Sequence, residues 1–404
     1  MAKQPKTRNE ARTGTVPITS VIEADGGALS KELNKLRQTL FPPASEKVLR
    51  SFSSGEAARL IGVADGYLRQ LSIAGKGPQP ETGAGGRRSY TLGQINELRH
   101  LLGEGPKGRA YVPHRKNDEH CQVLAVVNFK GGSGKTTTSA HLAQYLALHG
   151  YRVLAVDLDP QASLTALHGF QPEFDIALNE TLYAAIRYDD SRRSLAEVIR
   201  TTYFEGLDLI PGNLELMEFE HDTPKALGER GSEPFFGRIA TTLGSVADRY
   251  DVIVLDCPPQ LGFLTLGALC AATAMLVTVH PQMLDVMSMC QFLLMASDLL
   301  AVVKEAGAEL DYDFLRYVIT RYEPSDSPQT QMVGFMRSLF RERVLTNTML
   351  KSTAISDAGL SKQTLYEVGR ESFTRATYDR AIESLDAVNL EIEGLMRRAW
   401  GRSS

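Results

Sequence analysis

The stretch VVNFKGGSGKTTTSA, residues 126–140, constrains the fold most strongly, because an apolar run ends in a glycine-rich turn that is followed by a helical pattern. A strand, a turn and a helix in this order point the free N–H groups of the turn and the positive end of the helix dipole at one spot. That spot suits a phosphate chain. The stretch therefore predicts a nucleotide-binding loop formed by Lys130, Gly131, Gly132, Ser133, Gly134, Lys135, Thr136 and Thr137.

This loop contains two lysines, although a phosphate-binding loop needs only one. Lys135 is expected to reach the outer phosphates, and the hydroxyl of Thr136 is expected to coordinate Mg²⁺. The pattern GxxxxGK[ST] is not met, because Phe129 occupies the position of its first glycine. The sequence thus raises the question of what Lys130 does on the other side of the turn.

Short β-branched runs alternate with longer helical patterns from residue 122 onward. This alternation predicts an α/β fold with a mostly parallel, doubly wound sheet that helices cover on both faces. The runs are VLAVVNF, RVLAVDLD, LDLIPG, DVIVLDCPP, AMLVTVHP and FLRYVITRY.

The 404-residue chain exceeds the usual size of one domain, and its composition and hydrophobic pattern change at three places along the chain. Residues 1–50 are interpreted as an arm, 51–102 as a small domain, 103–120 as a Gly/Pro/charge-rich linker and 121–404 as the large α/β domain. The arm contains a helical stripe that could pack on a partner subunit. The stripe consists of Leu29, Leu33, Leu36 and Leu40.

Carboxylates are expected beside the phosphate loop. Asp256 ends the apolar run VIVL, so it lies at the carboxyl end of a strand and could hold the Mg²⁺ shell through water. Asp157 ends another run two residues before Asp159. It could share the metal shell or pair with a lysine.

Three ordered motifs resemble those of the ParA/MinD group of ATPases. KGGSGKTT resembles their deviant Walker A motif, in which a signature lysine precedes two glycines. VDLDPQAS (156–163) is similar to their second phosphate-site motif, and DVIVLDCPPQLG (251–262) is similar to their Walker B strand. The resemblance implies that the doubly wound sheet is of the P-loop NTPase type. It also implies a weak ATPase that uses ATP and Mg²⁺ and is stimulated by a ParB-like adaptor.

The resemblance also implies roles for individual residues. Lys130, the signature lysine, would cross the interface of an ATP-dependent homodimer and reach the partner's phosphates. Two triphosphates held close together repel each other unless cations lie between them. Asp159 matches the aspartate that positions the attacking water. The implied catalytic residues are Lys130, Lys135 and Asp159.

The N-terminal part is basic and is expected to meet DNA. Residues 1–120 hold 19 Lys and Arg against 12 Asp and Glu, although the whole chain has a net charge of −4. SSGEAARLIGVADGYLRQLSIAGKG and the later GGRRSYTLGQINELR resemble a MerR-type winged helix-turn-helix. The resemblance implies that Tyr67 or Gln70 lies near base edges and that Arg69, Arg87 and Arg88 meet phosphates. A helical protein–protein module is the alternative for this segment.

A second DNA surface is expected on the large domain. MRSLFRERVL (336–345) would place Arg337, Arg341 and Arg343 near one helical face, where they could bind DNA without sequence preference. Alternatively, these arginines pair with neighbouring acids.

With its length and its N-terminal module, the chain most resembles the large plasmid-partition ParA proteins, especially the RepA proteins of repABC replicons. The resemblance implies that this protein also represses its own operon. Such a protein would be cytoplasmic and nucleoid-associated. No uninterrupted apolar run reaches about 18 residues, so no membrane contact is expected. The alternatives are a MinD-like membrane-cycling ATPase and a repressor that only senses nucleotide.

Overall fold

The chain forms two compact units in the computed structural model, Met1–Lys47 and Val48–Ser404. The residues that the structure describes are 17–40, 47–105, 111–227 and 234–402.

In the first unit, helix α1 spans Ile18–Leu40. It begins before the predicted leucine stripe and exposes the apolar side chains of Ile18, Ile22 and Leu29. The side chains of the other predicted stripe members lie outside the described part of the structure, namely Leu33, Leu36 and Leu40.

The second unit begins with a small module of helices and short strands. A capping box between Ser53 and Glu56 starts its first helix, and Gly62, with a φ of 82°, ends that helix. The three strands pair antiparallel in the order β1-β3-β2. In chain order the elements are β1 (Phe52–Ser53), α2 (Ser54–Ile61), α3 (Asp65–Ile73), β2 (Glu81–Thr82), β3 (Arg88–Tyr90) and α4 (Leu92–Gly103). That this module is a winged helix-turn-helix stays a prediction.

Arg99 of α4 joins this module to the rest of the unit. Its guanidinium is buried and donates hydrogen bonds to the carbonyl oxygens of Leu60 and Leu148. Burial lowers the pKa of Arg99 to about 10, and the two carbonyl acceptors offset the cost of burying the charge. The predicted domain boundaries near residues 50, 102 and 120 stay predictions.

A seven-stranded sheet forms the centre of the second unit, in the order β10-β9-β4-β8-β5-β7-β6. All pairs are parallel except β6 with β7. The central strands are buried along their whole length, which is why their sequences are continuous apolar runs. The strands are β4 (Gln122–Val127), β5 (Val153–Asp157), β6 (Arg200–Thr201), β7 (Leu207–Ile210), β8 (Val252–Asp256), β9 (Ala274–Val279) and β10 (Phe314–Ile319).

Helices cover both faces of this sheet, and the predicted α/β fold class is confirmed. One apolar core joins the sheet to α5, α14 and α15, and a second core joins the opposite face to α10, α11, α12 and α13. The helices after β4 are α5 (Lys135–Leu148), α6 (Ser163–Leu167), α7 (Tyr183–Ile186), α8 (Leu195–Val198), α9 (Met217–Ala226), α10 (Phe235–Gly244), α11 (Phe263–Ala271), α12 (Met283–Glu305), α13 (Ser327–Phe340), α14 (Thr353–Leu360) and α15 (Arg375–Ala399).

Helix α12 is 23 residues long and apolar enough, by length and composition alone, to cross a membrane. In this fold it packs one side against the sheet through Met289, Phe292 and Ala296. Its other side exposes Met287 and Leu294. A core helix of a globular domain meets the same length and hydropathy criterion, so α12 by itself does not indicate a membrane protein.

Candidate nucleotide-binding site

The loop between β4 and α5 has the backbone geometry that a phosphate cradle requires. Gly132 and Gly134 have φ values of 75° and 88°, a region that favours glycine. A Cβ atom on Gly134 would also lie 3.3 Å from the Cβ atom of Thr320, tighter than an ordinary contact. Helix α5 begins at Lys135 directly after this turn, so its N-terminus faces the space inside the loop.

Neighbouring strand ends hold the loop in place. The Thr320 hydroxyl donates to the Ser133 carbonyl oxygen at 2.7 Å, and the Ser133 and Thr278 hydroxyls lie 3.0 Å apart. Arg321 donates from Nη1 to the Gly132 carbonyl oxygen at 3.0 Å. The sequence interpretation missed these three supporting residues, although each lies at or just after the carboxyl end of a strand, the edge where α/β proteins bind ligands.

Lys135 lies at the centre of this cradle. Its Nζ donates to the Lys130 carbonyl oxygen at 3.3 Å. Burial lowers the pKa of Lys135, and the negative charges of Asp256 and Asp159 act in the opposite direction. Within the described part of the chain, this long hydrogen bond is the only one that the buried ammonium makes. It is therefore well placed to exchange the carbonyl for phosphate oxygens.

Asp256 is fully buried at the end of β8, close to Lys135. Its Oδ1 accepts a hydrogen bond from the Ser139 hydroxyl at 3.0 Å, whereas its buried Oδ2 has no hydrogen-bond partner among the described residues. Burial raises the pKa of Asp256 to about 6, and the Thr136 hydroxyl acts in the opposite direction. A buried carboxylate oxygen in need of a partner, beside a threonine hydroxyl, fits a Mg²⁺ shell of oxygen ligands.

Asp157 is Asp256's neighbour on the adjacent strand β5. Its Oδ2 accepts hydrogen bonds from the backbone N–H and the hydroxyl of Thr165, at 2.8 and 2.7 Å, and its Oδ1 accepts one from the Asp159 N–H at 3.2 Å. Burial, together with the charge of Asp256, raises the pKa of Asp157 to about 8. These contacts show that Asp157 fixes the turn that carries Asp159.

Asp159 is half-buried at the start of that turn. Its Oδ1 accepts a hydrogen bond from the Gln161 N–H at 2.9 Å, and its charge reaches Lys135. The structure thus brings Lys135, Asp159 and Asp256, predicted from three separate motifs, to one edge of the sheet.

Lys130 points away from the cradle of its own loop. Its backbone N–H donates to Asn128 Oδ1 at 3.0 Å, and its Nζ lies 2.5 Å from Asp285 Oδ2 at the start of α12. The Lys130 side chain is 39% exposed. The sequence interpretation did not include Asp285, which is far away in the chain and lies within an apolar helical pattern.

The α3 residues that are predicted to contact bases or phosphates lie on the outer side of this helix. Tyr67, Arg69 and Gln70 are exposed, whereas Leu68 and Leu71 are buried in the module. The helical period therefore separates the packing side chains from those that are free to meet a ligand. Arg87 is exposed just before β3, and Arg88, the first residue of that strand, is half-buried.

The predicted common helical face of Arg337 and Arg341 is wrong. Helix α13 ends at Phe340, and Arg341 has a φ of 51°, which the helix cannot continue. Arg337 donates to the Thr346 carbonyl oxygen at 2.7 Å, while Arg341 and Arg343 belong to the following 3₁₀ turn. The arginines are neighbours along the chain but do not form a helical stripe.

Comparisons with known proteins agree with this geometry. Residues 121–305 match a family model described as AAA domain. The chain is 57% identical over 387 residues to a protein from Sinorhizobium fredii named replication protein A. This alignment covers 95% of each chain. It is 32% identical over 369 residues to the protein SopA of Escherichia coli K12, covering 89% of this chain and 92% of SopA.

Solved structures show the same fold. A structure described as a partition protein aligns with a TM-score of 0.60 over 93% of this chain and 99% of its own, at 18% identity. A cobyrinic acid a,c-diamide synthase from Mycobacterium smegmatis, solved with bound ADP and magnesium, aligns with a TM-score of 0.50 and 28% identity, covering 60% of this chain and 91% of its own.

Proposed function

Because this chain belongs to the ParA/MinD-type family of P-loop ATPases, in the branch of the plasmid partition proteins, we propose that it dimerises with ATP and binds DNA during replicon partition. It hydrolyses ATP slowly, and a ParB-like adaptor stimulates the reaction. It also represses its own operon. The protein then acts in the cytoplasm on the nucleoid.

The observation that carries the ATPase proposal is the cluster of Lys135, Asp256 and Asp159 beside a glycine cradle at the N-terminus of α5. The loop N–H groups and Lys135 bind the β- and γ-phosphates. Thr136 and Asp256, the latter through water, would hold Mg²⁺, which neutralises charge on the phosphates. Asp157 holds the turn by its hydrogen bonds to Thr165 and Asp159, and Asp159 orients the attacking water.

The outward position of Lys130 supports the dimer proposal. Lys135 occupies the cradle, and the Lys130 side chain extends out of it. When two ATP-bound protomers face each other, Lys130 of each one contacts the phosphates held by the other. The close approach of two triphosphates then depends on these two cations.

DNA binding is proposed for two surfaces. The exposed side of α3, with Tyr67, Arg69 and Gln70, enters the major groove of an operator, while Arg87 and Arg88 contact phosphates. In the ATP-bound dimer, the large domain binds DNA without sequence preference through a second surface. Arg337 and Arg341, which are exposed although they do not share a helical face, are the proposed phosphate contacts.

The packing of α15 favours partition over a membrane-cycling ATPase. A helix that lies on a membrane must keep its apolar face free. Here the apolar face of α15 is buried in the core through Leu385, Val388 and Ile392.

DNA binding by the full chain tests the proposed function. Binding is measured on operator and random DNA, each with ATP, ADP or no nucleotide. The proposal predicts operator binding through α3 and ATP-dependent binding to random DNA with a steep salt dependence. A protein that binds the operator but neither hydrolyses ATP nor binds random DNA would instead be a nucleotide-sensing repressor.

A further inference from the structure

The Lys130 side chain is not free in the monomer, because it makes an ion pair with Asp285. Lys130 Nζ lies 2.5 Å from Asp285 Oδ2, the Lys130 side chain is 39% exposed and that of Asp285 is 5% exposed. This Lys130–Asp285 contact is named the resting pair below. Its carboxylate is buried, while its ammonium lies at the surface from which a partner's phosphates would approach.

The position of Asp285 explains why this carboxylate is stable there. It lies in the first turn of α12, where the helix dipole favours a negative charge. Its backbone N–H donates to the Gln282 carbonyl oxygen at 3.0 Å, which fixes the turn. A buried carboxylate also needs a cation nearby, and Lys130 supplies it.

The resting pair is connected to the phosphate cradle through the backbone of Lys130. Lys135 Nζ donates to the Lys130 carbonyl oxygen, and the Lys130 N–H donates to Asn128, which is itself buried. When Lys135 turns to phosphate, the Lys130 carbonyl oxygen loses a donor. ATP binding therefore removes a hydrogen bond from the backbone of Lys130, the residue whose side chain contacts Asp285.

The surroundings of the pair are predominantly positive. Burial lowers the pKa of His280, directly after β9. The charge of Asp285 acts in the opposite direction, and the charges of Arg321, Lys130 and Lys351 lower the pKa further. An incoming triphosphate thus meets Arg321, Lys130 and Lys351, although Lys351 is paired with Glu323. The Asp285 carboxylate competes with the triphosphate for Lys130.

We propose that Asp285 is a positioning residue that holds Lys130 within its own protomer until ATP-bound partners meet. Dimerisation then requires Lys130 to exchange the Asp285 carboxylate for the partner's phosphates. The ion pair sets the protein concentration at which the ATP-bound form dimerises and suppresses dimers that lack a triphosphate. This inference rests on the proposed role of Lys130 across the dimer interface.

The test is the dimer dissociation constant of the full chain, measured by analytical ultracentrifugation with Mg²⁺ and a non-hydrolysable ATP analogue. Asp285→Asn removes the charge and keeps the shape, so Lys130 is released and the dimer should tighten roughly tenfold, a typical size for coupling between neighbouring charges. Asp285→Glu keeps the charge and should stay close to wild type. Asp298→Asn removes an exposed acid from the same helix and should change nothing.

Thermal unfolding without nucleotide separates this role from a structural one. A merely structural Asp285 would lower the unfolding temperature and weaken the dimer in Asp285→Asn. If the dimer of that variant is unchanged or weaker while ATP binding is normal, the proposed role of Asp285 is wrong.

The proposed role of Lys130 is tested separately by Lys130→Ala. If Lys130→Ala fails to dimerise while Asp285→Asn dimerises no better than wild type, only the inference about Asp285 fails. If Lys130→Ala dimerises normally with the ATP analogue, the role of Lys130 across the interface fails and the inference falls with it.

Discussion

The candidate nucleotide site and the candidate DNA-reading surface of α3 differ in how completely the fold prepares them. The nucleotide loop is held by Ser133, Thr278 and Thr320, and its main carboxylate, Asp256, is buried. The exposed side chains of α3, such as Tyr67 and Gln70, point to solvent from a helix that is fixed on its opposite side.

This difference predicts different sensitivity to substitution. A preorganised site loses binding or chemistry when one group is removed, because the remaining groups cannot rearrange to replace it. A solvated recognition helix spreads its affinity over several contacts, so each side chain contributes less.

The largest effect is expected for Lys135→Ala, which should weaken ATP binding by about 100-fold or more. The outer phosphates lose a charge-assisted donor and a nearby cation. Titration calorimetry with Mg²⁺ and ATP measures the change, with Lys304→Ala at the exposed end of α12 as the control. Unchanged affinity in Lys135→Ala would remove this lysine from the site.

Asp159→Ala should slow ATP turnover on the order of 100-fold while the ATP-bound dimer persists. A carboxylate that orients water acts mainly on the transition state, and positioned groups of this kind contribute about 10²-fold or more. Phosphate release and sedimentation are measured on the same sample. Loss of ATP binding instead would show that Asp159 serves the metal or the structure of the turn.

The raised pKa of Asp256, about 6, predicts that Mg²⁺-dependent ATP binding weakens on acidification. Above pH 6 the carboxylate is charged and can take part in the metal shell, whereas below pH 6 it must first lose its proton. Between pH 7 and pH 5 the affinity should fall about tenfold from this group. Asp256→Asn is the control, because it should bind more weakly at pH 7 and lose this part of the pH dependence. The same pH slope in both proteins would contradict the assignment.

The smallest effect is expected on α3. Gln70→Ala should weaken operator binding several-fold, within the range of about 1–3 kcal/mol for a base contact, and leave ATP affinity unchanged. Arg69→Ala should weaken binding to operator and unrelated DNA alike, because a phosphate contact carries no sequence preference. Arg375→Ala, an 80% exposed arginine on α15, is the matched control. Normal operator binding by both α3 variants would favour a protein–protein role for the module.

Residues of the fold and the candidate nucleotide site could be predicted from the sequence where they directly follow apolar strands, but not where they come from distant parts of the chain. Gly134, Lys135 and Asp256 follow apolar strands, and parallel strands bring their carboxyl ends to one edge, so the sheet and the site could be predicted together. Thr320, Arg321 and Asp285 were missed because they reach the loop from β10 and α12, more than a hundred residues later in the chain. The helical face of Arg337 and Arg341 was wrong because the left-handed backbone at Arg341 has no signal in the residue type.

The most direct test of the central claim, that Lys130 acts on the partner's ATP, is ATP hydrolysis by mixed protomers. Lys130→Ala and Asp159→Ala are each expected to be nearly inactive alone. In a mixed dimer, the site on the Lys130→Ala protomer keeps its own Asp159 and receives Lys130 from the Asp159→Ala partner. The account predicts that mixing restores hydrolysis in proportion to the mixed dimers formed. If Lys130 acted within its own protomer, both sites would lack one group. Mixed dimers that form, as shown by sedimentation, but are as inactive as the separate variants would contradict the account.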